Sequence, residues 1–261
     1  MSFNPSSAVQ RPDLGLVLEE YDLLAAQAGF VANRVFRVTP VDKQTANYSV
    51  MPIEELLKSR DTKRAPGAGY ARQSAKFEQA SYACKENGAE EAIDDREATI
   101  YSQNNGIQSE VFATKRAMDV VLRNREIRVA DAVFNTSTWT GSTLTTAVGT
   151  EWSVVASAKP VDDVLAASKK IYDLSGLLPN ALVINWHVYK NLTQCAQVID
   201  RIKYSGRDDP KNVTAQMLAE LFGIDEVIVA GAQKNTADTP GGLTLSKVWS
   251  DEYAMLCRIA R

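Results

Sequence analysis

Short apolar runs and helical patterns alternate most clearly in the last third of the chain. Residues Ala181 to Trp186 and Glu226 to Ala230 are short, largely apolar runs, the pattern of strands buried on both faces. Between them the sequence predicts a helix over His187 to Ile199 and another that begins at an N-cap, Thr214, and ends at Gly223. This strand–helix–helix–strand order predicts an α+β unit.

Two more helices are predicted upstream of that unit. Pro160 opens the first, and Gly176 followed by Pro179 closes it. The second runs from Gln108 to Asn135, about 40 Å at 1.5 Å per residue, which is longer than helices of globular domains usually are. Its apolar positions form one narrow stripe and predict the face that packs on a core: Val111, Met118, Leu122, Val129 and Val133.

The first third of the chain is less regular. Residues 1–20 are weakly patterned and predict an extended arm, which is followed by a short helical pattern from Glu19 to Phe30. Residues 31–52 are predicted to be a strand, and the prolines within it favour an edge position. After a Pro-Gly turn signal, Tyr70 to Cys84 predicts a second strand, neither face of which is apolar enough to rest on the chain's own core. Because an isolated two-stranded ribbon is marginal in water, this ribbon predicts a neighbouring molecule on which it lies.

Composition restricts the class of protein. A chain of 261 residues that is 45% apolar and 23% charged is ordinary for one large or two small globular domains. The net charge of −3 argues against wholesale binding to nucleic acid or to an anionic membrane. An apolar signal-peptide core and an 18-residue apolar run are both missing from the sequence. Three widely spaced cysteines predict neither a disulfide framework nor a zinc site, and they favour a reducing compartment.

Sequence signatures of catalysis are missing as well. The single histidine, His187, has no assignable partners for a triad or a metal site, and nucleotide-binding and nucleophile-elbow motifs do not occur. The adjacent carboxylates Asp94-Asp95 and Asp208-Asp209 are interpreted as solvated loop charges. The three cysteines, Cys84, Cys195 and Cys257, are each predicted to be small buried hydrophobes. We therefore predict no catalytic, metal-binding or cofactor-binding residue, and no enzyme.

Charge is segregated around the predicted ribbon. The basic positions are Lys58, Arg60, Lys63, Arg64, Arg72 and Lys76, and the acidic positions of the block that follows include Glu86, Glu90, Glu91, Asp94 and Asp95. One interpretation is a pair of solvated faces. The other is that the ribbon of one subunit docks on the acidic block of another, where opposite charges would set register and orientation.

Several stretches follow one another in a recognisable order. The turn KRAPGAGYARQSAKFEQASYACKENG precedes SEVFATKRAMDVVLRNREIRVADAVFNTSTW, and PNALVINWHVYKNL, VIDRIKY and LAELFGIDEVIVAGAQKNTA come after them. Together they resemble the major capsid proteins of tailed bacteriophages with the Hong Kong 97 type fold. The resemblance spans nearly the whole chain, and the last three stretches match most strongly.

The resemblance implies an α+β fold with a set of domains. Residues 1–36 would be an N-terminal arm and short helix, and 37–85 an extended β-ribbon, the E-loop. Residues 86–150 would be a peripheral domain with a spine helix at about 108–135, and 151–250 an axial domain. Residues 251–261 would begin the return to the peripheral domain. Family members continue beyond this point, so the comparison leaves open a missing C-terminal remainder or variation within the family.

The implied function is structural. Such a subunit assembles with itself into hexamers and pentamers that form a shell around a double-stranded DNA genome, with portal and scaffold proteins and sometimes decoration proteins as partners. Packaged DNA would be contacted weakly and without sequence reading. No cofactor and no membrane are expected, and the protein would be assembled in the host bacterial cytoplasm and reside in the virion.

Three alternatives remain open from the sequence. The same fold builds encapsulin compartments, which a cargo-docking groove would identify. A soluble α+β enzyme with an unrecognised carboxylate site would show a convergent carboxylate pocket. A monomeric binding module would keep residues 54–84 ordered in dilute solution.

Overall fold

The structure is a computed structural model that describes residues 23–59, 62–70, 72, 74, 76–96, 99, 109–204, 213–239 and 241–260. It has two compact units, residues 38–87 and residues 1–37 with 88–261. The elements of the described residues are, in chain order, α1 (Leu23–Gln27), α2 (Ala32–Val35), β1 (Thr45–Val50), α3 (Ile53–Leu56), β2 (Glu78–Ala83), α4 (Ser109–Val133), α5 (Pro160–Ser175), β3 (Ala181–Asn185), α6 (Trp186–Gln194), α7 (Ala196–Tyr204), α8 (Ala215–Phe222), β4 (Glu226–Ala230), β5 (Gln233–Asn235), β6 (Leu245–Lys247) and β7 (Ala254–Cys257). None of these helices is both long and apolar enough to cross a membrane.

A three-stranded sheet organises the larger unit. Strand β3 lies in its centre, parallel to β4 and antiparallel to β7, and all five of its residues are buried. The predicted buried strands are thus confirmed as β3 and β4, although Trp186 already belongs to the next helix. The mixture of helices with this sheet confirms the α+β class.

Helices cover both faces of the sheet, because alternate side chains of a strand point to opposite faces. Leu182 and Ile184 pack into a core with α6, α7 and α8. Ala181 and Val183 point the other way, into a core that contains α2, α4 and Trp249. The sheet is therefore the middle of three layers.

The helix ends follow the capping signals of the sequence. Gly176 and Gly223 end α5 and α8 in the left-handed region, with φ of 68° and 69°. The side chain of Asn185 accepts a hydrogen bond from the backbone N–H of His187, and Thr214 caps α8. The single helix predicted over 187–199 is wrong: the chain breaks at the buried Cys195 into α6 and α7, and the thiol donates to the carbonyl of Ala158.

The long helix is present as α4, but its predicted buried stripe is partly wrong. Val111 and Met118 are 47% and 60% exposed, although Val133 is buried. The other buried positions of α4 are two alanines and two acids, Ala113, Asp119, Glu126 and Ala130. The last three are spaced by seven and four residues, which places them on one helical face beside the apolar stripe. An apolar pattern assigns acids to solvent, so it cannot identify this face.

The strand predicted over 31–52 is also wrong at its start. Residues Ala32–Val35 form helix α2, and the strand covers only Thr45–Val50. Val31, Ala32 and Val35 are buried in the core that contains α4. Tertiary contacts of α2 therefore override the local strand preference of these residues.

The smaller unit contains the ribbon. Strands β1 and β2 pair antiparallel in a register that sets Tyr48 opposite Ala80 and Ala46 opposite Tyr82. These residues share one face with Val50, and the rings of Tyr48 and Tyr82 lie 6.3 Å apart between centroids. The face of the paired ribbon is thus more apolar than the sequence of either single strand predicts, although Tyr48 and Val50 remain exposed. Residues 76 and 77 lie outside the strand, so the predicted strand over 70–84 is too long.

Candidate assembly surfaces

A buried carboxylate fixes the long helix in the larger unit. Glu126 of α4 is 1% exposed. Its Oε1 accepts hydrogen bonds from the backbone N–H of Val31 at 2.7 Å and from Nε1 of Trp249 at 2.7 Å, and its Oε2 accepts one from the backbone N–H of Ala32 at 2.9 Å. One side chain therefore joins the N-terminal segment, the long helix and the chain near its C-terminal end.

The local reason for this arrangement is the open N-terminus of α2. The first N–H groups of a helix have no partner within the helix, and Val31, the N-cap residue, offers no side-chain acceptor. A carboxylate from another helix supplies the acceptor, and the charge is favourable at this end of a helix. Trp249 is fully buried, and its indole packs edge-to-face on the ring of Phe134 with 5.1 Å between the ring centroids. The backbone carbonyl of Trp249 accepts a hydrogen bond from the side-chain amide of Asn185 at the end of β3.

About two turns earlier on α4, a second polar group holds two more segments. The carboxylate of Asp119 accepts hydrogen bonds from the guanidinium of Arg123 at 2.8 Å and from the side-chain amide of Gln27 in α1 at 3.2 Å. Arg123 also donates to the backbone carbonyl of Gln233 in β5, and its guanidinium lies 5.5 Å from the ring centroid of Phe30. The face of α4 that is turned to the core therefore aligns α1 and the β5–β6 hairpin.

The N-terminal segment also approaches the end of β4 closely. The N–H of Gly231 donates to the carbonyl of Gly29 at 3.0 Å, and a Cβ added to Gly29 would meet the Gly231 backbone at 3.0 Å. Neither this contact nor the burial of the two acids is predicted by the sequence patterns. The available signal was the seven-residue spacing of Asp119 and Glu126 on the face that continues through Ala130 and Val133.

The predicted basic positions lie on the smaller unit, apart from Arg60, which is outside the described residues. The described ones are all exposed: Lys58, Lys63, Arg64, Arg72 and Lys76. Lys58 lies 3.9 Å from Glu55, and Arg64 donates to the carbonyl of Ala68 while its guanidinium lies 4.5 Å from the ring of Tyr70. These contacts within the unit still leave the cationic groups facing solvent.

The acidic block is placed differently from residue to residue. Glu86, Glu90, Asp94 and Asp95 are exposed, and Asp94 accepts from the backbone N–H of Arg96 at 2.9 Å. Glu91 is half-buried and forms an ion pair with Arg116 of α4 at 2.8 Å. The block is therefore anchored beside the long helix through Glu91, and its other carboxylates are open to solvent.

An apolar groove lies along α5. Its lining residues are Leu165, Ser168, Lys169, Tyr172, Asp173 and Leu178. The three large apolar side chains among them, Leu165, Tyr172 and Leu178, are each more than half exposed. Such a concentration of exposed apolar surface marks an interaction site more often than a surface that only meets water.

The described side chains offer little for catalysis. No three histidine, cysteine, aspartate or glutamate residues of the described ranges converge to hold a metal ion.

Burial raises the pKa of the Cys257 thiol to about 11, with the nearby Glu226 adding to the shift, so this thiol stays protonated at neutral pH. The prediction that every cysteine is buried is confirmed for Cys195 but is wrong for Cys84, which follows the end of β2 and is exposed; Cys257 is half-buried. His187 is exposed and packs edge-on against Trp186.

Comparisons with known proteins find similarity to two phage-related proteins. No protein-family model matches the chain. The chain is similar to the major capsid protein of Burkholderia phage BcepMu, with 30% identity over 147 residues, which is 56% of this chain and 46% of that protein. It therefore spans about half the length of the curated relative that it matches. A phage-related protein from Bordetella bronchiseptica RB50 has the same fold, with a TM-score of 0.59, 20% identity, and coverage of 93% of this chain and 75% of that one. The predicted resemblance to phage major capsid proteins is confirmed.

Proposed function

We propose that this chain is a major capsid protein with the Hong Kong 97 type fold, a non-enzymatic subunit of a phage shell. The observation that carries the proposal is the similarity of 147 residues to a phage major capsid protein. The long helix tied to a central sheet and the separate ribbon unit with exposed side chains support it.

The proposed division of the chain follows the family. Residues 1–36 form an arm with a short helix, 37–85 the E-loop, and 86–150 the peripheral domain with α4 as the spine helix. Residues 151–250 form the axial domain, and 251–261 begin the return to the peripheral domain. Hydrogen bonds of Glu126 and Arg123 to segments distant in sequence support a rigid connection between the spine helix and the axial sheet.

In the proposed shell, hexamers and pentamers of this chain enclose double-stranded DNA, which touches the inner wall weakly and without base recognition. Portal and scaffold proteins, and in some shells decoration proteins, are the proposed partners. Assembly takes place in the host bacterial cytoplasm, and the product is the virion. No cofactor has a part in this function.

Charge pairing between subunits is the proposed role of the ribbon. The ribbon cations of one copy (Lys58, Arg60, Lys63, Arg64, Arg72, Lys76) would face the acidic block of a neighbour (Glu86, Glu90, Glu91, Asp94, Asp95). Each exposed pair contributes up to about 1 kcal/mol, so the pairs set register and add up only over many copies. Glu91 contributes least, because Arg116 of its own chain already neutralises it.

A charge swap tests the ribbon contact. Reversing Arg60, Lys63 and Arg64 to Glu is expected to reduce particle yield, and reversing Glu90, Asp94 and Asp95 to Lys in the same chain is expected to restore it. Circular dichroism of each variant provides the folding control. Unchanged assembly of the first variant would show that these charges are simply solvated.

Electron microscopy tests the shell function itself. The full chain, expressed alone and with neighbouring genes, is examined by negative staining and light scattering. Closed shells or ring-shaped capsomers are the expected result. A stable monomer near 28.6 kDa under every condition would refute the proposal.

A further inference from the structure

We propose that the tip of the β5–β6 hairpin of one copy docks in the α5 groove of a neighbouring copy. The hairpin tip consists of residues 236–239 and 241–244, and the groove is the one lined by Leu165, Ser168, Lys169, Tyr172, Asp173 and Leu178. This inference rests on the proposed function, because it names one contact by which subunits of the shell meet.

The hairpin tip is held in one conformation by its own hydrogen bonds. The side chain of Asn235 donates to the carbonyl of Gly242 at 2.9 Å and accepts from the backbone N–H groups of Ala237 at 3.0 Å and Thr244 at 2.8 Å. The backbone N–H of Thr236 also donates to the carbonyl of Thr244 at 2.8 Å. A tip organised in this way has already lost the conformational entropy that a docking loop must otherwise give up.

This ordered tip presents apolar side chains to solvent. Leu243 is 73% exposed, and Leu245, at the start of β6, is also more than half exposed. An exposed leucine on a mobile loop would be unremarkable, but here a hydrogen-bonded turn fixes it in an outward position. The tip therefore has the shape and the chemistry of a small apolar projection.

The groove has the complementary character. Leu165, Tyr172 and Leu178 supply an apolar floor, and Lys169 and Asp173 stand one helical turn apart beside it. The hairpin carries the exposed Asp238 at its tip and the half-buried Lys234 on β5, so each of the two surfaces has one cation and one anion. In the proposed contact Lys169 faces Asp238 and Asp173 faces Lys234, and these opposite charges would set the orientation of the hairpin in the groove.

One copy cannot bring these two surfaces together. Helix α5 packs on α7 and α8, on the face of the sheet marked by Leu182. The hairpin is bound through Gln233 to Arg123 of α4, on the opposite side of the sheet. The proposed occupant is therefore the hairpin of a second copy. Such a contact is head-to-tail, which closes into a ring when the rotation between neighbouring copies allows it.

The surface area that this contact would bury is too small to hold two free subunits together, so the contact would form only within an assembly. Five partly exposed side chains, at roughly 100 Å² each, bury on the order of 500 Å², well below the about 1,200 Å² of a stable free interface. The contact should hold only where a ring closes and other interfaces act together. We therefore test it in assembled particles.

Disulfide trapping is the decisive experiment. In a Cys84→Ser background, copies with Leu165→Cys are co-assembled with differently tagged copies that carry Leu243→Cys, and the particles are mildly oxidised. A disulfide requires Cα atoms within about 7 Å, so we expect about tenfold more linked heterodimer than with a control pair. The control pairs Leu243→Cys with Leu174→Cys, an exposed leucine two and a half turns from Leu165 on α5 and therefore on the opposite side of the helix.

A charge swap gives a second, independent measurement. Lys169→Glu is expected to lower the yield of particles several-fold, and adding Asp238→Lys in the same chain is expected to restore it. A loss of yield that Asp238→Lys does not restore contradicts the docking.

The outcomes distinguish this inference from the function on which it rests. Particles that form normally but give no more 165–243 linkage than the control pair overturn the docking and leave the capsid function intact. If neither shells nor capsomers form in any co-expression, the capsid function fails and the docking fails with it.

Discussion

Replacing Glu126 with Gln tests whether the buried carboxylate stabilises the junction or only tolerates burial. Gln has nearly the same shape, but one of its two terminal groups is a donor. Its carbonyl oxygen can still take the place of Oε1 and accept from Val31 and Trp249. Its NH2 group then faces the N–H of Ala32, which donates to Oε2 in the native chain. Two donors therefore meet at a buried position.

The expected loss follows from the hydrogen bonds. A bond to a charged acceptor contributes about 1.5–3 kcal/mol and a neutral one about 1, and a buried donor without a partner costs about 1–3 kcal/mol. Two weakened bonds and one lost bond thus lower the free energy of unfolding by roughly 3 kcal/mol, after allowance for the desolvation cost that the neutral side chain avoids. At 2–4 °C per kcal/mol, the melting temperature should fall by about 6–12 °C.

Urea unfolding of the unassembled subunit, followed by tryptophan fluorescence, measures the effect directly. Asp131→Asn, an exposed acid on the same helix, serves as the control and should change stability by less than about 0.5 kcal/mol. Trp249→Phe removes one of the three donors, and a double-mutant cycle with Glu126→Gln should show coupling of about 1 kcal/mol or more. If Glu126→Gln is as stable as the native chain, the cost of burying the charge outweighs its bonds and the reasoning fails.

Three further predictions concern single residues. Gly29→Ala should destabilise the chain by about 1–3 kcal/mol in thermal unfolding, because the added Cβ meets the Gly231 backbone. Gly88→Ala should be nearly neutral in the same experiment, because no atom lies within 4 Å of its added Cβ. Cys84 should react with a maleimide reagent at pH 8 at least tenfold faster than Cys195 or Cys257, as measured by mass spectrometry. Equal rates would contradict the burial of Cys195 and the half-burial of Cys257. The pKa of Cys257 is raised from 9.0 to about 11, so the unfolded chain loses this proton first, and stability should fall as pH rises from about 9 to 11. Cys257→Ala should remove that part of the pH dependence, measured by urea unfolding at each pH.

Much of the larger unit is predictable from local signals. Buried strands appear as short apolar runs, as Ala181 to Asn185 shows, and helix ends follow from Pro160, Gly176 and Gly223. These signals work because each depends on the backbone preferences of one or a few neighbouring residues. The absence of motifs for nucleotides, metals and nucleophiles was readable in the same way, since such motifs are local too.

The sequence by itself determined the α+β class, the order of the main helices and strands, and the resemblance to phage capsid proteins. Only the tertiary structure decided that Asp119 and Glu126 point to the core, because each also accepts hydrogen bonds from residues that are 92 to 123 positions away in sequence. It also decided the apolar face of the ribbon, since that face exists only once Tyr48 lies beside Ala80 in the paired register. Polarity along a chain cannot distinguish an acid that meets water from one that meets buried donors. That difference arises when distant segments come together.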